Sequence, residues 1–362
     1  MSHIANMPKK GRDLNHLEDY VFFYGSHGTK EVIDILMDMT SDTHDISIKW
    51  DGKVALFYGR DASGVFQMGT RGNWAKDMPA TSAQGIHDYI MQTGKGESFR
   101  PAMARDLQIL FPYLEGSVPL DFSGFVMGDL LFSPCMSPAL RTANGIEFTP
   151  NQVTYTVNPH SLIGDQINNA VCGMALHVQF PAWKSNESIP LDNNIVKALH
   201  TTDVYVTGQN YSHVRPRVGL CVLYQLKALS AKNNQLLDAL IAKRLGLSDV
   251  SDIIYTFNNQ TMRSGGNLLS PAVFFEWLSR SKISNSKKAK LLDMGQNEHQ
   301  SFSAMFELFN AVAAIKNDII SQLDAGETDI KTSTNGVRGG EGYVSLKHKV
   351  KLVPRTTWRP LS

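Results

Sequence analysis

The chain has 362 residues, of which 42% are hydrophobic and 19% are charged, so it can bury a substantial core and is not a disordered chain. Its 35 basic and 34 acidic side chains give a formal net charge of +1. That balance argues against a protein that coats nucleic acid or a membrane surface by bulk charge.

The cysteines and the apolar runs indicate the compartment. Cys135, Cys172 and Cys221 are widely spaced without a CxxC pair, which argues against a structural zinc site and fits a reducing compartment. The basic N-terminal segment lacks the apolar run of a secretory signal. No apolar run in the sequence approaches the roughly 20 residues of a membrane span. We therefore expect a cytoplasmic protein without a membrane partner.

The first part of the chain predicts helices and then a hairpin. An apolar stripe ending at Gly25 predicts one short helix, and Thr29 is placed to cap a second. After Thr43 the alternation in ISIKWDGKVALFYGRD, followed by VFQMGTRGNW, predicts a β-hairpin whose strands carry Lys49 and Arg71.

The remaining pattern predicts an α+β fold. Helical periodicity recurs at residues 86–91 and 102–111, and residues 122–180 are rich in strand-forming residues. Residues 218–327 repeat apolar side chains at helical spacing, and strands return from Gly339. We expect three segments, which are N-terminal helices with a core of antiparallel sheets (1–217), a helical insertion (218–330) and a return to the core (331–362).

The strongest local signal for chemistry is Lys49-Trp50-Asp51-Gly52. A lysine two residues before an Asp-Gly turn can act as a nucleophile if cations or desolvation lower its pKa. By itself the motif is equally compatible with a hairpin turn that carries a solvated lysine.

Six elements in a fixed order resemble the motifs of the covalent nucleotidyltransferases, the superfamily of ATP-dependent DNA and RNA ligases and mRNA capping enzymes. KWDG resembles motif I, whose lysine attacks the α-phosphate of a nucleotide and forms a lysyl-NMP. The other five resemble, in turn, motifs Ia, III, IIIa, IV and V: GTRG at 69–72, FVMGD at 125–129, GMALHV at 173–178, EGYV at 341–344 and KVKLV at 349–353.

The resemblance implies a role for each matching residue. It implies catalysis by Lys49, Asp51 and Glu341, and a Mg²⁺ or Mn²⁺ ion held by Glu341 and Asp129. The residues that it assigns to binding ATP are Gly52, Arg71, Asp129, His177, Lys349 and Lys351. Several cations suit a polyanionic triphosphate. The residue that stacks on the base stays open between His177 and Phe180, and a histidine on an apolar strand is more often a core residue.

Several positions depart from the family pattern. Val54 stands where DNA ligases carry arginine, so that contact is missing or comes from Lys53 or Arg60. Asp129 replaces the usual glutamate. The chain ends eleven residues after Lys351, so we expect no C-terminal OB-fold, unlike cellular DNA ligases and capping enzymes. A nearer resemblance is to ligase-like proteins of large tailed bacteriophages, and it is carried by KWDG, GDLLF, FTPNQVTYTVNPHSLIG, a Gly-x-x-x-His strand, EGYV and VKLVPR. It implies the cytoplasm of an infected bacterium.

Two lysine clusters bear on the acceptor. Lys347, Lys349 and Lys351 alternate and should share one face of a strand. Lys287, Lys288 and Lys290 form either an ordinary solvated helix face or a contact to polynucleotide phosphates. The leading expectation is an ATP-dependent, RNA-ligase-type enzyme that joins ends in RNA or nicked DNA. The alternatives are a degenerate fold acting as a binding or virion-associated protein, and an enzyme that nucleotidylates a protein or small molecule.

Overall fold

The computed structural model describes residues 14–41, 45–93, 98–208, 210–242, 250–264, 269–334, 336–339 and 342–355. The chain divides into two compact units. Unit 1 comprises residues 1–48, 211–327 and 342–362, and unit 2 comprises residues 49–210 and 328–341. These units do not coincide with the three predicted segments, because the helical segment belongs to the same unit as the N-terminal helix and the last strands.

The described residues form helices and strands in an α+β arrangement, as predicted. The helices are α1 (Asp19–Met39), α2 (Arg71–Lys76), α3 (Ala83–Thr93), α4 (Arg100–Ser117), α5 (Leu162–Asn169), α6 (Asn193–Leu199), α7 (Leu220–Ala242), α8 (Val250–Arg263), α9 (Pro271–Arg280), α10 (Asn285–Asn297) and α11 (His299–Gly326). The strands are β1 (Asn15–His16), β2 (Ile46–Ile48), β3 (Ala55–Arg60), β4 (Phe66–Thr70), β5 (Gly124–Phe132), β6 (Leu140–Thr142), β7 (Gly145–Phe148), β8 (Val153–Val157), β9 (Cys172–Phe180), β10 (Ile189–Pro190), β11 (Val204–Thr207), β12 (Asn210–Tyr211), β13 (Ile330–Thr334), β14 (Val337–Arg338), β15 (Tyr343–Ser345) and β16 (Val350–Leu352). None of these helices is long and apolar enough to cross a membrane.

Unit 1 packs helices α7 to α11 with α1, and the predicted helical character of residues 218–327 is confirmed in the part of this range that the structure describes. The two predicted N-terminal helices are halves of α1, which is kinked where Gly25 takes a positive φ of 59°. Thr29 does not cap the second half, because its Oγ1 donates to the Gly25 carbonyl oxygen at 3.0 Å from within the helix. Across the helix pair, the Phe22 ring of α1 stacks on Phe309 of α11.

A buried ion cluster joins distant parts of unit 1. Lys316 of α11 donates to Glu18 Oε1 at 2.6 Å, and Arg355 Nε donates to the same oxygen at 2.7 Å. Arg355 also pairs with Asp19, and all four side chains are at most 4% exposed. Burial raises the pKa of Glu18, but the two cations outweigh that effect and hold the pKa at about 2.

The small sheet of unit 1 has the strand order β1-β16-β15-β2-β12. The predicted alternation of three lysines on one strand face is wrong for two of them. Lys347 and Lys349 lie in the turn between β15 and β16, and Lys349 has a left-handed φ of 53°. Lys347 reaches back to Asp38 of α1, with Nζ 2.7 Å from Oδ2. Only Lys351 is on a strand.

Unit 2 contains two sheets that are almost wholly antiparallel. One has the order β10-β9-β5-β3-β4 with β11 added in parallel to β9, and the other has the order β14-β13-β8-β7-β6. Alternate residues of β3 and β5, such as Leu56, Tyr58 and Val126, bury one face of the first sheet against α3 and α4. Tyr89 of α3 and Arg100 of α4 also line the cavity described below, together with residues of β3, β4 and β5.

The predicted hairpin is confirmed for β3 and β4, which pair across the DASG turn. The prediction that the hairpin strands carry Lys49 and Arg71 is wrong, because Lys49 follows β2 in a loop and Arg71 begins α2. β2 pairs with β15 and not with β3. Thr70 ends β4 by capping α2, since its Oγ1 accepts from the Gly72 backbone N–H.

Candidate functional site

The KWDG loop of unit 2 is fixed by side chains from β8 and the turn before it. The Tyr155 hydroxyl accepts a hydrogen bond from the Asp51 backbone N–H at 2.8 Å and lies 3.5 Å from the Lys49 carbonyl oxygen. Asn151 Nδ2 donates to the Asp51 carbonyl at 2.9 Å. Trp50 is 4% exposed and its ring lies 4.9 Å from that of Tyr155. The loop therefore has a buried anchor that can orient its two charged side chains.

Lys49 and Asp51 form an ion pair at the surface of this loop. Lys49 Nζ lies 3.0 Å from Asp51 Oδ2, and the two side chains are 23% and 32% exposed. A lysine in this position is partly desolvated and still accessible to a ligand. A reactive amine needs both properties.

Asp129 and His177 form a second pair on neighbouring strands. His177 Nε2 lies 3.1 Å from Asp129 Oδ2. The register between β5 and β9 shifts at Met127 and Gly128, so His177 is an extra residue in β9, and such irregularities often redirect a side chain. The His177 side chain is 39% exposed, so it is not the buried core histidine that its apolar strand suggested.

The charges around Asp129 link the two pairs. Burial raises the pKa of Asp129, but the hydrogen bond from His177 and the positive charges of Arg71 and Lys49 outweigh it and lower the pKa. Arg71 at the start of α2 and Lys49 in its loop are therefore close enough to stabilise the same carboxylate. The structure thus brings together Lys49, Asp51, Arg71, Asp129 and His177, all five of which were predicted from the sequence.

Asp129 also lines a cavity of about 590 Å³ in unit 2. Four cationic residues line it with Asp129: Lys53, Arg71, Lys76 and Arg100. Four positive groups against one carboxylate leave a formal charge of +3 on the lining. A cavity of this size and charge fits a nucleotide with several phosphates.

Gly52 lies where the loop crosses β5. A Cβ at this position would lie 2.6 Å from the Asp129 Cβ and 2.5 Å from the Leu130 carbonyl oxygen. Gly52 is thus required by close packing against Asp129, which accounts for the glycine that the resemblance assigned to nucleotide binding.

We predict that Gly52→Ala displaces Asp129 and lowers nucleotide binding at least about tenfold, because the backbone oxygen of Leu130 cannot move aside easily. Calorimetric titration with ATP measures the effect. Gly116→Ala is the matched control, since a Cβ there meets nothing within 4 Å. Unchanged ATP affinity in Gly52→Ala would show that the packing of the KWDG loop against Asp129 does not affect ATP binding.

The structure also distinguishes the two substitutes proposed for the missing arginine at Val54. Lys53 lines the cavity, with Nζ 4.9 Å from the centre of the Phe99 ring. Arg60 is 7% exposed, and its guanidinium donates to the backbone carbonyls of Gly64, Glu115 and Val118. Lys53 can therefore contact a ligand in the cavity, whereas Arg60 fixes the β3–β4 hairpin to α4.

Phe180 belongs to an aromatic cluster. Its ring centre lies 4.7 Å from that of Trp74 on α2, which stacks on Phe57 at 4.2 Å, and Trp183 packs against Trp74 at 5.0 Å. His177 is engaged with Asp129. The base-stacking residue thus stays open between the two candidates. The sequence analysis missed this cluster, because Trp74 and Trp183 carry no local signal beyond their residue type.

The other predicted residues lie elsewhere or outside the described part of the chain. Glu341 falls outside the described residues. Lys351 belongs to unit 1, where its charge lowers the pKa of Asp19 against the dominant effect of burial. The three lysines Lys287, Lys288 and Lys290 lie on α10 of unit 1, and Lys288 Nζ donates to the Ser279 carbonyl at 3.0 Å.

Of the two predicted metal ligands, the structure describes Asp129, whereas Glu341 lies outside the described residues. Among the described residues, no group of three or more His, Cys, Asp or Glu side chains could hold a metal ion. Mg²⁺ in phosphoryl-transfer sites commonly takes one or two carboxylates and completes its shell with substrate phosphates and water. Asp129 and Asp51 have the oxygen donors for such a partial shell.

The family model of DUF6267, a family of unknown function, matches residues 12–359. The chain belongs to the DUF6267 family. The DUF6267 match includes all of unit 2, all of unit 1 except residues 1–11 and 360–362, and every candidate site residue named above. No curated protein and no solved structure matches the chain significantly.

Proposed function

We propose that this DUF6267 protein is an ATP-dependent covalent nucleotidyltransferase that forms a lysyl-AMP at Lys49. The observation that carries the proposal is the position of Asp129. Asp129 lines the cavity with Arg71, its Oδ2 lies 3.1 Å from His177 Nε2, and the positive charges of Arg71 and Lys49 help to lower its pKa. Lys49 is not among the residues that line the cavity, but it precedes the lining residues Gly52 and Lys53 in the same loop, and its charge acts on the Asp129 carboxylate.

The chemistry of the first step follows from the ion pair. The Lys49 ammonium must lose a proton before it can attack, and Asp51 Oδ2 at 3.0 Å is within reach to accept it. The amine then attacks the α-phosphorus of ATP, a P–N bond forms, and the bond to the bridging oxygen breaks as pyrophosphate leaves. Arg71 and Lys53 neutralise phosphate charge, and Mg²⁺ when bound supplies further neutralisation.

The acceptor in the second step is proposed from the resemblance. An RNA-ligase-type enzyme would transfer AMP from Lys49 to the 5′-phosphate of RNA or nicked DNA and then join the ends. Lys287, Lys288 and Lys290 would contact phosphates of that strand. Lys349 and Lys351 are proposed to bind phosphates of ATP.

The deciding experiment combines two assays on the purified protein. Incubation with α-³²P-labelled ATP and Mg²⁺ should label the chain covalently and release pyrophosphate, while labelled GTP and NAD⁺ serve as donor controls. The labelled protein is then offered RNA and DNA ends. Labelling with end joining supports the ligase proposal, and labelling without joining favours a protein or small-molecule acceptor. No labelling under any metal condition supports a degenerate, binding-only fold.

Glu341 provides a test of the proposed metal site. Glu341→Gln keeps the size of the side chain but removes the charge that would hold Mg²⁺. We predict at least about a tenfold fall in the labelling rate, which corresponds to about 1.4 kcal/mol of activation free energy. The rate is measured over a series of Mg²⁺ concentrations, because a metal-site defect should shift the requirement to higher Mg²⁺. Wild-type rates at all concentrations would assign Glu341 a purely structural role.

A further inference from the structure

Unit 1 has a groove between α1 and α7 that the proposed chemistry does not use. Its volume is about 550 Å³. The apolar side chains along it include Ile33 and Met37 from α1 and Leu220, Leu223 and Tyr224 from α7. Leu223 is 8% exposed and forms the floor, whereas Met37, Leu220 and Tyr224 are 55%, 70% and 68% exposed.

The groove has the dimensions of a missing helix. Its lining residues run from Ser26 to Met37 on α1 and from Leu220 to Asn234 on α7. At 1.5 Å per residue these stretches are about 16 Å and 21 Å long, which is three to four helical turns. The residues recur at intervals of three and four, so two parallel rows of side chains border one long depression. A third helix can pack its own side chains between such rows.

The exposure of the apolar rows indicates that they are normally covered. Soluble proteins rarely leave a contiguous apolar patch with several large side chains more than half exposed, and such patches mark interaction sites. Tyr224 and Leu220 lie one turn apart on α7, and Met37 faces the same groove from α1. Because the exposed apolar residues are spread along both walls of the groove, they can pack against the apolar face of a helix along its length. A compact small molecule would contact only a few of them.

The charged residues on the two walls of the groove indicate which charges a bound helix should carry. Lys30 of α1 and Lys227 of α7 line the groove, and Asp34 is the acid that lines it, which leaves a formal charge of +1. Within the described residues neither lysine takes part in an ion pair. Both ammonium groups can therefore form ion pairs with carboxylates on either side of an apolar ligand.

We propose that this groove binds an amphipathic α-helix of a partner protein, with an apolar i, i+3, i+4, i+7 stripe flanked by Asp or Glu. The apolar stripe packs on Leu223, Tyr224 and Met37, and the flanking carboxylates pair with Lys30 and Lys227. This mode of recognition combines burial of an apolar face with charge-determined selectivity.

Two synthetic peptides test the proposal. Each has about 15 residues, enough for measurable helix in isolation, with leucines on one face. One carries Glu beside the leucine stripe and its twin carries Lys. Fluorescence anisotropy with the full chain should show at least about tenfold tighter binding of the Glu peptide, or about 1.4 kcal/mol. Equal affinities, or no binding of either peptide, would overturn the proposal.

Surface variants locate the site without disturbing the core. Lys30→Glu with Lys227→Glu should reverse the preference towards the Lys peptide, whereas Lys232→Glu with Lys282→Glu makes the same change in net charge outside the groove and should not. Tyr224→Glu should abolish binding, and Val222→Glu, also exposed on α7 but outside the groove, should retain it.

Other occupants of the groove would give distinct results. Self-association of the chain that Tyr224→Glu prevents, without peptide binding, would show that a second copy covers the groove. Saturable binding of dodecanoate that Tyr224→Glu abolishes, again without peptide binding, would show a small amphiphile. Either result would replace the partner-helix proposal.

Discussion

Replacing Lys49 by alanine should abolish covalent labelling by α-³²P-labelled ATP, because the proposed bond forms on its Nζ atom. Lys49→Arg should fail as well, since a guanidinium stays protonated and cannot attack phosphorus. The label on the wild-type chain should be released by mild acid and retained in alkali, as expected of a P–N bond. Mass spectrometry of the labelled peptide should assign the added AMP to Lys49.

Control variants separate the nucleophile from its surroundings. Lys197→Ala removes an exposed lysine of α6 in the same unit and should leave labelling unchanged. Lys53→Ala removes a cation from the cavity and should slow labelling without preventing it. Undiminished label in Lys49→Ala would exclude Lys49 as the nucleophile, whatever the outcome for the other lysines.

Lys316→Met should destabilise the protein by about 3–5 kcal/mol, the usual range when one partner of a buried ion pair is lost. In the variant, the fully buried Glu18 keeps Arg355 as its cationic partner among the described residues, while Asp19 competes for that same guanidinium. Methionine fills similar space, so the effect reports on charge and not on a cavity. Urea-induced unfolding followed by circular dichroism measures the change.

An exposed ion pair of the same unit provides the comparison. Lys347→Met breaks the pair with Asp38, where the lysine is 51% exposed, and should change stability by less than about 1 kcal/mol. Adding Glu18→Gln to Lys316→Met should recover part of the loss, because a neutral amide is less costly to bury than an unmatched carboxylate. If both lysine variants are equally stable, the buried cluster contributes no more than a surface pair.

The sequence predicted elements that depend on local pattern. Turn chemistry at DASG gave the β3–β4 hairpin, and helical periodicity gave α7 to α11. The sequence-based prediction failed where the local structure depends on contacts with distant segments of the chain. Lys49 was expected on a hairpin strand, but β2 pairs with β15, whose Val344 lies 297 residues after Ser47. Arg71 was expected on a strand, but Thr70, one residue before it, caps a helix that begins at Arg71.

In the candidate site, too, local motifs predicted some residues, whereas contacts that depend on the tertiary fold were not predicted. The order of the motifs identified Lys49, Asp51, Arg71 and Asp129, which are brought together in unit 2. The alignment of His177 with Asp129 depends on a register shift between β5 and β9 that no local pattern reveals. Lys76, Arg100 and Tyr155 were missed because their roles come from α2, α4 and β8 folding around the loop.

The return of the chain to unit 2 near its end limits how the protein can be dissected. Residues 330–334 of β13 pair along the whole of β8, whose Tyr155 anchors the KWDG loop. A fragment that stops at residue 210 would lack β13 and leave β8 as a bare edge with unpaired backbone groups, which invites aggregation. A minimal fragment of unit 2 therefore has to carry residues 328–341, joined by a short engineered linker in place of residues 211–327.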